Sequence, residues 1–248
     1  MHSSLKSVQH RPWALPEGPW LMAQNWHDLL FAHWEVPVGK MRELVPRGLE
    51  IDTFRGRAWT GVVPFRMSGV RLRGTPALPG LAAFPELNVR TYVRAGDKPG
   101  VWFFSLDAAN RIAVEAARAW FHLPYFHARI TIQRNGKQLA YSSERHDRRG
   151  SGERLEASYQ PLGERFHAQP GTLEHFLTER YCLYAERGDR TLLRGEIHHA
   201  PWSLQAACAE FVDNGMTRGL GVALEGAPLL HFSKLQEVVV WAPQSVFP

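Results

Sequence analysis

The stretch Phe84-Pro85-Glu86-Leu87-Asn88-Val89-Arg90-Thr91-Tyr92-Val93-Arg94 alternates polar and apolar residues. Glu86, Asn88, Arg90, Tyr92 and Arg94 fall on one side, and Leu87, Val89, Thr91 and Val93 on the other, the period of a β-strand. Val101 to Asp107 repeats the pattern, with Ser105 and Asp107 opposite Trp102, Phe104 and Leu106. Between the two lies Gly96-Asp97-Lys98-Pro99-Gly100, a turn by composition. Pairing Arg94 with Val101 sets Arg90 beside Ser105 and Asn88 beside Asp107. A slip of one residue would set Arg90 against Leu106, so the first register is expected. A polar face of this kind is either the solvent side of an antiparallel sheet or the lining of a cavity inside a curled one, and alternation suits both. In a cavity, Arg90 is a bidentate clamp for a small acid and Glu86 a proton carrier with a displaced pKa.

Outward from this hairpin, strands are expected at Ile51 to Phe54 and Arg57 to Met67, forming a second hairpin about Arg55-Gly56. Further strands are read at Ala128 to Arg134 and Gln138 to Arg145 about Asn135-Gly136, and at Arg154 to Tyr159, Thr191 to His198 and Leu229 to Trp241. Gly74 to Pro85, rich in proline and glycine, is a loop. Helices are expected over Asn25 to Glu35, where Trp26, Leu29, Leu30, Phe31 and Trp34 recur at three and four residues, and over Val38 to Val45. Others are read from Gly171-Thr172 to Leu183, and over Ser203 to Asp213 with Ser203 as N-cap. Between the strands, Ile112 to Phe121 carries a narrow polar stripe of Arg111, Glu115, Arg118 and His122, which implies a largely buried helix.

No linker interrupts this series. The expected organisation is an N-terminal arm, residues 1–20, loosely attached through Trp13 and Trp20, and a single α+β domain, residues 21–248. That domain is mainly antiparallel, a curled or closed sheet with helices packed outside. The chain of 248 residues is 44% hydrophobic and 21% charged, the profile of a folded globular protein. It contains no apolar run long enough for a membrane helix and no apolar stretch of a secretory signal at its start, so a cytoplasmic protein without a membrane partner is expected. Of the 29 basic residues only Lys6, Lys40, Lys98, Lys137 and Lys234 are lysines. The arginines are interspersed with Asp and Glu, which argues against a nucleic-acid surface. Cys182 and Cys208 read as buried thiols.

Phosphate loops, nucleophile elbows and zinc-protease helices are absent as motifs. His198-His199 would point to opposite faces of a strand, so a metal site is not expected there.

Several segments carry a family resemblance: Trp26 to Trp34 (WHDLLFAHW), Ala58 to Phe65 (AWTGVVPF), Phe84 to Val93 (FPELNVRTYV), Ser105-Leu106-Asp107-Ala108, Leu123-Pro124-Tyr125, Leu230 to Ser233 and Val239-Val240-Trp241. Together, over about residues 20–243, they resemble the YqjF-like, DUF2071 family of bacterial proteins. That family is similar in fold to acetoacetate decarboxylase, which implies a curled antiparallel sheet around a small-molecule cavity. By the same resemblance Glu86 falls where the decarboxylase keeps an active-site glutamate, and Leu123-Pro124-Tyr125-Phe126 where it carries a Pro-Lys-Lys motif. The decarboxylase forms a Schiff base through a lysine made nucleophilic by a neighbouring cation. Tyr125 and Phe126 stand in place of those lysines, which argues against decarboxylation by that route. Of the five lysines only Lys234 lies within a predicted strand, on the face of Leu230 and Phe232, where it could point inward.

The resulting candidate site has Glu86 and Tyr125 as catalytic groups, and Arg90, Arg118, Ser105 and Asp107 as ligand-binding groups, with no cofactor and no metal. Its partner is a small molecule, and a homo-oligomer stays open. Two functions suit it: an enzyme acting on a small organic acid or carbonyl compound without a Schiff-base lysine, or a non-catalytic binding or sensing module on the same scaffold.

Overall fold

A computed structural model describes residues 2–150 and 152–247. The strands are β1 (Met22–Val36), β2 (Glu50–Ile51), β3 (Ala58–Leu72), β4 (Phe84–Ala95), β5 (Lys98–Ala108), β6 (Tyr125–Asn135), β7 (Gln138–Arg145), β8 (Arg154–Phe166), β9 (Cys182–Glu186), β10 (Leu192–His198), β11 (Leu204–Asn214), β12 (Leu229–Val240) and β13 (Gln244–Ser245). Three α-helices are set among them, α1 (Val38–Leu44), α2 (Arg111–Phe121) and α3 (Leu173–Thr178).

The strands belong to one sheet that closes on itself twice. One circuit of paired strands runs β12, β1, β3, β4, β5, β9, β10 and back to β12. The other runs β12, β1, β3, β4, β5, β6, β7, β8, β11 and back. Pairing is antiparallel except where β5 meets β6 and β9. The strands β12, β1, β3, β4 and β5 are a wall common to both circuits, so each must bury both of its faces. The second circuit is filled: Leu30, Ala32, Val62, Leu87, Val89, Tyr141, Leu155 and Phe232 pack together inside it. The first circuit receives the opposite faces of the same wall, and it holds a cavity.

This double burial explains two departures from the sequence reading. The segment Asn25 to Glu35 is strand β1, not a helix. A wall strand that is apolar on both sides shows no alternation, and β1 also contains a bulge at Asp28, whose φ of 55° lies in the left-handed region. The bulge shifts the facing residues from Met22, Gln24 and Trp26 to Leu29 and Phe31. The step from Trp26 to Leu29 is therefore three residues, as on a helix. Ser203 to Asp213 is likewise strand β11, pairing with β8 and β12. Its alanines favour a helix in isolation, and tertiary pairing overrides that preference.

Other elements depart from the expectation in smaller ways. The short strand β2 pairs with β4, and the expected hairpin about Arg55-Gly56 is reduced to a single bridge from Phe54 to Arg57. The helix from Thr172 stops at Thr178, and Cys182 onward is strand β9. Helix α2 forms with Asn110 as N-cap, its side chain accepting from the amide of Ala113. Yet it buries only Val114 and Phe121, while Ile112 and Trp120 are 65% and 64% exposed. Residues 2–11 are tied down firmly: Arg11 bonds the Ile197 carbonyl and the Glu196 carboxylate, and His198 donates to the carbonyls of Ser4 and Ser7. Cys182 is buried, whereas Cys208 is exposed.

Candidate functional site

The cavity of the first circuit measures about 220 Å³. Its wall is mostly apolar, built from Trp26, Phe65, Phe84, Phe103, Leu106 and Trp202, and α2 roofs it with Ala113, Ala116 and Ala117. The exposed Trp120 and Leu72 also line it, marking its mouth. Into this apolar space β4 presents Glu86, Asn88 and Arg90, the polar face read from the sequence.

Glu86 is almost fully buried. One carboxyl oxygen, Oε2, accepts a 2.9 Å hydrogen bond from the Tyr125 hydroxyl at the start of β6. The other has no hydrogen-bond partner among the described residues. The backbone is held from the opposite side, where the Tyr141 hydroxyl donates to the Glu86 carbonyl at 2.8 Å. Loss of water raises the Glu86 pKa from its ordinary 4.5 to about 8. The Tyr125 bond opposes the rise and the nearby Asp107 carboxylate adds to it. The side chain is therefore a neutral acid at pH 7. Tyr125 is pushed well above its usual value by burial and by Glu86, so it stays a hydrogen-bond donor.

Arg90 has no carboxylate partner among the described residues. One of its nitrogens, Nη2, reaches the Tyr92 hydroxyl and the Leu177 carbonyl, each at 3.3 Å, and the guanidinium lies against the rings of Phe31 and Tyr92. Gly61 on β3 is opposite Arg90, where an added Cβ would come within 3.0 Å of the His33 ring. Glycine leaves room for His33 and Arg90 to cross. Asn88 Oδ1, Arg90 Nε and Trp202 Nε1 are buried in this wall without a hydrogen-bond partner. Such atoms normally have one, and these three are enclosed within the wall and not open to the cavity.

The remaining sequence candidates do not line the cavity. The observed register pairs Tyr92 with Val101 and Arg90 with Phe103, then shifts so that Val89 faces Ser105 and Leu87 faces Asp107. Phe104 is the extra residue of this β5 bulge. Its insertion turns Leu106 toward the cavity and Ser105 and Asp107 away. Asp107 instead makes a buried ion pair with Arg145, which also holds Glu153. Arg118 donates to the Tyr125 carbonyl at 2.7 Å, so it positions the backbone of Tyr125 and does not clamp a ligand. Lys234 points outward and pairs with Asp28 at 2.6 Å, its side chain 51% exposed. No lysine lines the cavity among the described residues.

Asn88 was legible as a member of the polar face but was not among the site candidates. Thr178, Arg180, Cys182 and His199 also line the wall, brought there by α3, β9 and the end of β10 through long-range pairing that local patterns do not encode. Burial raises the Cys182 thiol to about 12. Arg180 is already paired with Asp52. His198 and His199 face backbone carbonyls, and no cluster of three or more metal-ligating side chains occurs among the described residues.

The sequence model of DUF2071, described as an uncharacterized conserved protein, matches residues 23–237. The chain belongs to the DUF2071 family. It is 45% identical over 234 residues to the uncharacterized protein YqjF of Bacillus subtilis (strain 168), covering 94% of this chain and 96% of that one. Among solved structures it is similar to the enduracididine biosynthesis enzyme MppR complexed with pyruvate, with a TM-score of 0.65 at 15% identity, covering 99% of this chain and 97% of that one. It is also similar to acetoacetate decarboxylase from Legionella pneumophila, with a TM-score of 0.62 at 10% identity, covering 98% and 94%. At such identities the likeness is one of fold, and this chain shares the acetoacetate decarboxylase-like architecture. No helix among the described residues is long and apolar enough to cross a membrane.

Proposed function

We propose that this DUF2071 protein is an enzyme that transfers a proton to or from a small organic acid or carbonyl compound, using Glu86 and no Schiff-base lysine. The observation that carries the reading is the Glu86 carboxyl itself, neutral in an apolar cavity, with Tyr125 on one oxygen and the other oxygen unpartnered. A carboxylic acid with a pKa near working pH can give a proton to a carbonyl oxygen and take one from an adjacent carbon, because neither state is too stable to leave. Tyr125 accompanies the transfer, its hydroxyl supporting whichever oxygen carries charge. Related folds are consistent with such ligands, since MppR has been captured with pyruvate and with a condensation product of pyruvate and imidazole 4-carboxaldehyde.

The alternative, a binding or sensing module, is favoured by one observation: among the described residues the cavity offers no activated nucleophile, and the thiol of Cys182 is held protonated. A screen of carbonyl acids with turnover detection separates the two. The enzyme reading expects wild type to convert at least one compound, or exchange its α-hydrogen with solvent, and Glu86→Gln to bind it without either. Binding by wild type with neither turnover nor exchange would assign the cavity to a binding module.

A further inference from the structure

The polar groups of the cavity are not gathered at one point. Glu86, Asn88 and Arg90 occupy alternate positions of one strand, so the Cα atoms of Glu86 and Arg90 are about 13 Å apart. Their side chains do not close the gap. Arg90 forms no ion pair with Glu86, and the groups that act on the Glu86 carboxyl are Tyr125 and Asp107, not Arg90. The guanidinium is drawn the other way, toward the Tyr92 hydroxyl and the Leu177 carbonyl beyond it. It nevertheless lines the cavity, and Nη1 makes no hydrogen bond among the described residues. A half-buried cation without a counter-charge is costly, and a bound anion relieves that cost.

Between the two ends β4 places Asn88, on a wall that also carries Trp26, Phe65, Phe103 and Trp202. At about 30 Å³ per water molecule, 220 Å³ holds roughly seven waters. Bonded atoms pack closer than separate waters, so on the order of ten heavy atoms are needed to fill it. A short 2-oxo or 3-oxo acid would leave much of the apolar wall bare, and its adjacent carboxylate and carbonyl could not meet Arg90 and Glu86 together.

We propose that the ligand is an extended carboxylate, its anionic head on Arg90, an apolar body along the aromatic wall past Asn88, and a carbonyl or hydroxyl group at least four carbons away at Glu86. This rests on the reading of the Glu86 cavity as a site for organic acids and specifies which acids it takes. It separates this protein from the short-acid chemistry that the fold alone would suggest.

The test is a binding series on the full-length protein, read by calorimetry and by quenching of the wall tryptophans Trp26 and Trp202. The probes are pyruvate, acetoacetate, a straight-chain oxo acid with about five methylenes between carbonyl and carboxylate, and the methyl ketone of the same length without the carboxylate. The long oxo acid is expected to bind at least about tenfold more tightly than either short acid, and at least about tenfold more tightly than the ketone. Arg90→Gln should erase the second difference, and the ketone comparison stands on wild type if that variant does not fold. Short acids binding as well as the long one would overturn the inference and leave the proposed function intact. A ketone binding as tightly as its acid would overturn the role of Arg90. Failure of every probe to bind would remove both the inference and the reading beneath it.

Discussion

At the scale of single residues, the chemistry of the cavity turns on which side chains share the Glu86 carboxyl. The Tyr125 hydroxyl stabilises the ionised form, so its removal in Tyr125→Phe should push the Glu86 pKa above its value of about 8. A carbon-13 NMR titration of labelled glutamate checks this, and an unchanged value would show that the bond is absent. Lys234, paired with Asp28 outside the cavity, should remain unlabelled when the protein is treated with borohydride and either acetoacetate or pyruvate. Mass spectrometry of the digest decides it, and labelling at Lys234 would contradict its outward position. Glu86 and Arg90 were legible because strict alternation in β4 assigns a face to each residue. Ser105 and Asp107 were misassigned because a single inserted residue, Phe104, reverses that assignment halfway along β5. Nothing in the local pattern marks such an insertion.

At the scale of elements, bulges decide which face of a shared strand meets which circuit. Asp28 holds φ of 55° and anchors Lys234 and Arg134 with its carboxylate. A β-branched residue tolerates that conformation poorly, so Asp28→Val should cost roughly 1–3 kcal/mol in urea unfolding. A neutral result would mean that β1 re-registers without penalty. Leu87, fully buried in the filled circuit, should cost about 2–5 kcal/mol as Leu87→Ala, with ligand affinity in the other circuit little changed. Most of β4, β5, β7, β12 and α2 could be read from periodicity and turn residues. Strand β1 could not, because burial on both faces and the Asp28 bulge give it the spacing of a helix. Strand β11 was hidden by its alanines, whose small side chains give little contrast between inner and outer positions.

At the scale of the whole molecule, two closed circuits share one wall, one packed with side chains and the other left open around an acid. The folded state thereby carries a proton that the unfolded chain would release. With Glu86 at about 8 when folded and near 4.5 when unfolded, the Glu86 contribution to stability is greatest below the lower value and falls as pH rises, at about 1.4 kcal/mol per unit, until it levels beyond pH 8. The buried histidines His33, His198, His199 and His231, all lowered from 6.5, act in the opposite sense, because they charge in the unfolded chain as pH falls through about 6.5 and stay neutral in the folded one. That contribution is common to wild type and Glu86→Gln, so the difference between the two proteins from pH 6.5 to 8 isolates Glu86. Urea unfolding of wild type and Glu86→Gln across that window is the direct test of a neutral acid in the cavity. Because Gln stays neutral in both states, the variant is expected to be more stable than wild type by roughly 3 kcal/mol already at pH 6.5, and to gain about 1.6 kcal/mol more by pH 8. Stability curves that run parallel through the window would show that Glu86 is already ionised in the folded protein, and would contradict the account.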